Sequence, residues 1–220
     1  MPVAVIADIV GSRLLADRVG GQRILDDTIA RVERDFPVAT RPLRPTVGDE
    51  QQGEFARLEL ALAALVLLQL ALPDDVECRF GVGVGTVGIV ASATGDLHDG
   101  PAWWAARAAI ETVHDMQRRV VHTARIRVVA AAEEDAATHA AVVLANAYLL
   151  ARDQIVVSMN ERTRRLAYGR CLGQTQKQLA ESEGISQPAV SKSLASTGAA
   201  AVIAGFALLH PQGIHERPRG

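Results

Sequence analysis

Residues 175–194 constrain the fold of this chain more than any other stretch. They read Thr175-Gln-Lys-Gln-Leu-Ala-Glu-Ser-Glu-Gly184 and then Ile185-Ser-Gln-Pro-Ala-Val-Ser-Lys-Ser-Leu194. Thr175 is a residue type that caps a helix, and Gly184 supplies the left-handed position that ends one. Ser186 caps again, and Pro188 falls in the first turn of the next helix, where a missing N–H costs nothing. Leu179, Ala180, Ile185, Val190 and Leu194 are spaced to meet between the two helices, with Ala180 small enough for a close crossing. Two short helices joined by a tight turn are therefore expected, their second beginning near Gln187.

Such a pair is the pattern of a helix-turn-helix, whose second helix enters the major groove of DNA. The charge distribution agrees with that chemistry. The chain as a whole carries a formal net charge of −2. Residues 1–159 hold 15 Lys and Arg against 21 Asp and Glu, whereas residues 160–220 hold 8 against 4. Both lysines of the chain, Lys177 and Lys192, lie inside the pair, and Arg162, Arg164, Arg165 and Arg170 precede it. A local basic cluster on an acidic chain suits phosphate contact. Ser186, Gln187, Ser191 and Lys192 are expected to face double-stranded DNA, with Gln176 and Lys177 on its backbone. A Gln at position 187 has the donor and acceptor to read adenine, and Lys192 suits a phosphate. Val190 and Leu194 should point inward.

Before that segment the periodicity changes. Residues 2–10 form an apolar run with one acid, as in a central strand. A helix is expected from Gly11-Ser12 to about Phe36, with Val19, Ile24, Ile29 and Val32 inside. Strands at 43–47 and 52–55 flank Gly48-Asp49-Glu50 as a hairpin tip. A helix at 57–72 is followed by a long strand at 77–90 whose glycines mark close contacts. A polar loop at 92–100, a helix at 101–119 opened by Pro101, and a strand at 126–130 complete the set. The order predicts an α+β domain over residues 1–131, an antiparallel sheet with helices on one face. From 136 to 212 the signal is helical: 136–150, 158–168, the pair described above, and an apolar helix at 199–209. Residues 213–220 read as a tail.

Hydrophobic residues make up 49% of the chain and aromatics 4%, so the core is built from Ala, Val, Leu and Ile. Cys78 and Cys171 are far apart and show no metal-ligand spacing, and the six histidines show none either. The apolar run at 60–72 is shorter than the roughly 20 residues a membrane span needs. No basic, apolar leader opens the chain. A soluble cytoplasmic protein without a membrane partner is expected.

The first domain carries residues that resemble the catalytic domain of class III nucleotide cyclases. Ala7-Asp8-Ile9-Val10-Gly11-Ser12 is similar to that family's first metal motif and Thr46-Val47-Gly48-Asp49 to its second. Arg79-Phe-Gly-Val-Gly-Val-Gly85 is similar to its next core strand, and Gly100-Pro-Ala-Trp-Trp-Ala-Ala-Arg107 to its catalytic helix. The resemblance implies a ferredoxin-like, cyclase-like fold, a nucleotide ligand with Mg²⁺ held by Asp8 and Asp49, phosphates at Gly11 and Ser12, and a phosphoryl contact from Arg107. The family's asparagine one turn before that arginine is Trp103 here, and its purine-selecting lysine is Pro45. The residues that orient the ribose and select the base are thus replaced. No residue is assigned a catalytic role, and turnover is expected to be lost. Trp103 and Trp104 are adjacent and face different sides of a helix, so one is expected in the core and the other to fill the vacated space rather than stack on a base.

Asp99-Gly-Pro-Ala-Trp-Trp-Ala-Ala-Arg-Ala-Ala-Ile-Glu111, together with the helix pair near the end, also resembles the SatD family. That resemblance implies a bacterial cytoplasmic protein. The expectation for the whole chain is a DNA-binding transcription regulator, a homodimer being the form that reads paired half-sites, whose first domain binds or senses a nucleotide without efficient turnover. The alternative is an active nucleotide cyclase or another metal-dependent phosphotransfer enzyme with a DNA-binding appendage.

Overall fold

The computed structural model describes residues 1–12, 17–46, 50–90 and 97–210. Its first strand, β1 (Val3–Ile9), is the apolar run read from the sequence. β1 lies at the centre of a five-stranded sheet of order β2-β3-β1-β4-β7. The other members are β2 (Ala39–Pro45), β3 (Gln51–Phe55), β4 (Cys78–Val84) and β7 (Ile126–Ala130). β1 pairs antiparallel with both β3 and β4, while β7 runs parallel to β4. The expected all-antiparallel sheet is therefore a mixed one. The cause is α3 (Pro101–Arg119), a crossover helix that returns the chain in the direction of β4. Two short strands, β5 (Gly88–Val90) and β6 (Leu97–Asp99), form a separate ribbon where one long strand and a polar loop were expected.

Helices cover both faces of the sheet, not one. The alternation of β1 decides this. Ala4 and Ile6 face α3 with Trp103, Ala106 and Ile110. Val3, Val5, Ala7 and Ile9 face the other way, into a core shared with α1 (Arg18–Asp35) and α2 (Leu58–Ala71). The α3 contact explains the glycines of β4. A Cβ on Gly83 would lie 1.8 Å from the Ala102 carbonyl oxygen, and one on Gly81 would lie 2.3 Å from that of Ala106. Only strand residues without a Cβ let the α3 backbone settle this closely.

α1 starts at Arg18, capped by Asp17 through the Gly20 N–H at 2.8 Å. It does not start at Gly11, so the amides of Gly11 and Ser12 are not its first turn. Val19, expected inside, is exposed, and Leu25 is fully buried on the inner face.

The second half of the chain supplies α4 (Ala136–Val157), α5 (Glu161–Cys171), α6 (Gln176–Glu183), α7 (Gln187–Ser196) and α8 (Ala199–Leu209), making eight helices among the described residues. α4 is longer than its apolar run suggested, because its last turns are anchored by polar groups. The Asn146 side chain bonds both the N–H and the carbonyl of Val128 on β7, at 2.9 Å each. Asp153 accepts the N–H groups of Arg125 (2.7 Å) and Ile126 (3.0 Å). α4 thereby satisfies and covers the outer edge of the sheet. The apolar core is continuous from the sheet through α2 into α5, α7 and α8. By length and composition α4 could cross a membrane, as could the α7–α8 pair were it not bent by 82°. The buried Asn146, Arg152 and Asp153 instead place α4 as a wall of the core.

Candidate functional site

The first group of residues gathers where β1 ends. Asp8 is on the α3 face, and the β1–β4 register sets it opposite Arg79. The two side chains form a two-pronged ion pair, Arg79 Nε to Asp8 Oδ1 at 2.9 Å and Nη2 to Oδ2 at 3.1 Å. Arg79 is buried, and its Nη1 also reaches Gln117 Oε1 at 3.5 Å. A forked guanidinium–carboxylate pair of this kind is strong and directional. It keeps a carboxylate in an otherwise apolar strand from being an isolated buried charge. Beyond the strand, Gly11 has φ of 66°, a left-handed turn that favours glycine.

Arg107 projects from α3 toward the base of the β2–β3 hairpin. Its Nη1 and Nη2 meet Glu50 Oε2 and Oε1 at 2.5 and 2.8 Å. The Glu50 hydrogen bond is the main reason its guanidinium is held more firmly protonated than usual, and Glu111 and Asp8 act in the same direction. The sheet register places Gln51 opposite Ala7, so Glu50 flanks Asp8. Asp8, Glu50, Arg79 and Arg107 therefore form one neighbourhood of alternating charge. Asp49, the second expected metal ligand, lies outside the described residues. Among the described residues no group of three or more His, Cys, Asp or Glu could hold a metal ion.

One turn before Arg107, Trp103 is buried, and Arg41 lies over its ring at 5.2 Å from the centroid. Trp103 is thus the core member of the tryptophan pair, packed with Ala4, Ile6 and Ile110. Trp104 is exposed and donates its Nε1–H to Asp99 at 2.8 Å. Glu54 collects Arg41 (3.2 Å) and His98 Nδ1 (2.6 Å). Arg44, beside Pro45, turns away to Glu33 on α1 at 3.0 Å. Glu50 and Arg79 were missed in the sequence. Asp8 and Arg79 are nevertheless the lone charges inside β1 and β4, and opposite charges on neighbouring strands are a pairing signal.

The second group is the α6–α7 pair. Thr175 and Gln178 form a reciprocal capping box at the start of α6. Gly184 has φ of 63°, and the Ile185 N–H bonds the Ala180 carbonyl at 3.0 Å. Ser186 caps α7 through the Ala189 N–H. Val190 and Leu194 are buried, as are Leu179 and Ala180. Ser186, Gln187, Ser191 and Lys192 are exposed on the outer side of α7; Lys177 is exposed and Gln176 half-buried on α6. α8 packs against the inner side through Ala199, Val202 and Phe206 and leaves that outer row uncovered.

The arginines before the pair behave differently from expectation. Arg164 is buried, tied to the carbonyls of Met159 (3.1 Å) and Leu72 (3.2 Å) and to Asp74 (2.5 Å). Arg165 holds Glu183 of α6 through two contacts of 2.8 Å. Arg170 donates to the Gln174 carbonyl. These three brace the helices, each with its guanidinium already paired within the chain. Arg162 is exposed.

A comparison with curated proteins finds no match. Among solved structures, adenylate cyclases from Trypanosoma brucei in their monomeric state are similar at 16% identity and a TM-score of 0.42, over 51% of this chain and 69% of theirs. The dimeric guanylyl cyclase domain of the RhoGC fusion protein from the aquatic fungus Blastocladiella emersonii is similar at 15% identity and 0.41, over 50% of this chain and 73% of that one. A bacterial light-regulated adenylyl cyclase is similar at 13% and 0.41, over 52% and 40%. The model of one protein family, described as the SatD family, matches residues 2–203, nearly the whole length. The chain belongs to the SatD family.

Proposed function

We propose that this protein is a cytoplasmic DNA-binding transcription regulator. In this reading residues 136–212 carry the DNA-binding part and residues 1–131 bind or sense a nucleotide without efficient turnover. The observation that carries it is the uncovered outer row of α7, with Ser186, Gln187, Ser191 and Lys192 exposed over a buried Val190 and Leu194. A ten-residue helix is about 15 Å long. That length suits a major groove about 12 Å wide. Gln187 reads a base edge, Lys192 meets a phosphate, and Gln176 and Lys177 hold the backbone. Two copies as a homodimer present two such helices to paired half-sites.

Gly11, Ser12 and Arg107 are the proposed nucleotide contacts. Arg107 would exchange Glu50 for a phosphate, a swap between two oxyanions that keeps its fork filled. Asp8 would have to release Arg79 before it could join Asp49 around a cation. A nucleotide that rearranges the Glu50–Arg107 contact would bias the sheet to which α4 is fastened, and so the separation of the two reading helices.

A gel-shift selection on genomic fragments tests the DNA assignment. The wild-type chain is expected to retard a subset of fragments. The Gln187→Ala/Lys192→Ala variant, altered only at exposed positions, is expected to lose that shift while keeping its melting temperature. Retardation that is unchanged in the variant would show that α7 is not the reading helix. Equilibrium dialysis with GTP and ATP tests the nucleotide assignment, with binding expected for wild type and lost in Arg107→Ala.

A further inference from the structure

We propose that a second cavity, one that neither Asp8 nor α7 lines, binds a small organic molecule bearing a phosphate or carboxylate group. It is an open cleft of about 370 Å³ between the end of α2, the start of β4 and the α4–α5 junction. Two buried arginines, Arg125 and Arg164, line it. Backbone carbonyls fix both in place. Arg125 Nη1 donates to the carbonyls of His122 (2.7 Å) and Ala124 (3.1 Å). Arg164 is held by Met159 and Leu72 in the same manner. Each guanidinium is therefore tied to the main chain at two points and only about one-tenth exposed.

Their carboxylate partners are of a different kind. Asp74, paired with Arg164 at 2.5 Å, has a side chain 64% exposed. Glu77, paired with Arg125 at 2.6 Å, is 50% exposed. Each cation is thus rigid and dry while each anion stands at the rim in water. The Arg164 Nε, buried, has no hydrogen-bond partner. Such an atom is costly unless something fills its place. A ligand oxyanion can take the positions of the two rim carboxylates and keep the planar two-pronged geometry that arginine favours. The remaining ionisable lining residue is Cys78, whose thiol burial pushes strongly up, so it adds no negative charge. Val156 and Met159 provide an apolar wall, which calls for an organic body behind the anion. The volume lies within the range of small-molecule sites, about 300–1,000 Å³. The start of α5 is not a competing attraction, because Asn160 already caps it through the Thr163 N–H at 2.9 Å.

The test is a calorimetric titration of the full-length chain with four probes: phenyl phosphate, benzoate, phenol and inorganic phosphate. Saturable binding is expected for phenyl phosphate or benzoate, and which of the two binds tells phosphate from carboxylate. Phenol and inorganic phosphate should bind at least about tenfold more weakly, lacking either the charge or the body. Asp74→Asn/Glu77→Gln removes only the exposed competitors and should tighten binding by about tenfold. Arg164→Gln should abolish it; if that variant does not fold, the rim variant decides. No saturable binding to either wild type or the rim variant overturns the proposal. So does binding of phenol as tight as that of phenyl phosphate, or a folded Arg164→Gln variant that binds normally.

Discussion

Replacing Asp153 with alanine should cost more stability than any surface change in this chain. Asp153 is fully buried, and four groups donate to it. Oδ2 accepts the N–H groups of Arg125 and Ile126. Oδ1 accepts Gln69 Nε2 at 3.2 Å and Arg152 Nη2 at 3.1 Å. Arg152 is itself buried, with Nε and Nη1 lacking hydrogen-bond partners, so Asp153 is its neutralising charge. Leaving a buried charge without its partner costs about 3–5 kcal/mol. Each orphaned backbone N–H adds about 1–3 kcal/mol. These contributions overlap as the site relaxes, and a total of about 5 kcal/mol follows. For a chain of this size about 1 kcal/mol moves the melting temperature by about 2–4 °C, so a fall of about 10–20 °C is expected in a thermal melt followed by circular dichroism. Asp153→Asn can keep one oxygen for the two N–H groups, although its amide nitrogen then faces the Gln69 and Arg152 donors, so it should fall by somewhat less than the alanine variant. Arg152→Met/Asp153→Ala removes both charges and should melt above Asp153→Ala alone. A single alanine variant within about 2 °C of wild type, or a double variant that melts below it, would refute this reasoning.

Gly83→Ala places a methyl group 1.8 Å from the Ala102 carbonyl, so α3 must lift from β4; a loss above about 3 kcal/mol in urea unfolding is expected. The Arg165 hydrogen bond holds the Glu183 carboxyl below the usual carboxylate range. A depressed folded pKa means stability that is present above the unfolded value, about 4.3, and lost as pH falls through the folded one. The melting-point advantage of wild type over Glu183→Gln should therefore hold at neutral pH and vanish in acid; an advantage that grows in acid would contradict the pairing. Burial pushes the Cys171 thiol up to about 12 and the Cys78 thiol higher still. Both should react with Ellman's reagent at pH 8 only after denaturation, and fast labelling of the native protein would place a thiol at the surface.

Local chemistry was the legible part of the sequence. Caps and breakers at Thr175, Gly184, Ser186 and Pro101 marked helix ends correctly, because each acts within one turn. The glycines of β4 announced a close approach, and α3 is what approaches. Long-range partners were hidden. Nothing near Asn146 or Asp153 in the sequence says that an Ala-rich helix will bond the edge of β7, since that need belongs to groups 18 and 28 residues earlier. The two-sided sheet was hidden for a related reason. A central strand buried on both faces is apolar throughout, and its alternation shows only once α3 and α2 take opposite sides. In the candidate site, Asp8 and Arg107 were read from their motifs, whereas their partners Arg79 and Glu50 emerged only from the strand register. The arginines before α6 were read as a phosphate-facing cluster; composition cannot separate a solvated cation from one, such as Arg164, that braces two loops.

The salt dependence of DNA binding tests the central claim most directly. The affinity of the wild-type chain for a selected fragment should fall linearly on a log–log plot against salt concentration, and Lys192→Ala should lower the slope by about one phosphate contact. Binding that is absent at low salt, or a slope identical in the two proteins, would contradict the assignment of α7 to the DNA surface.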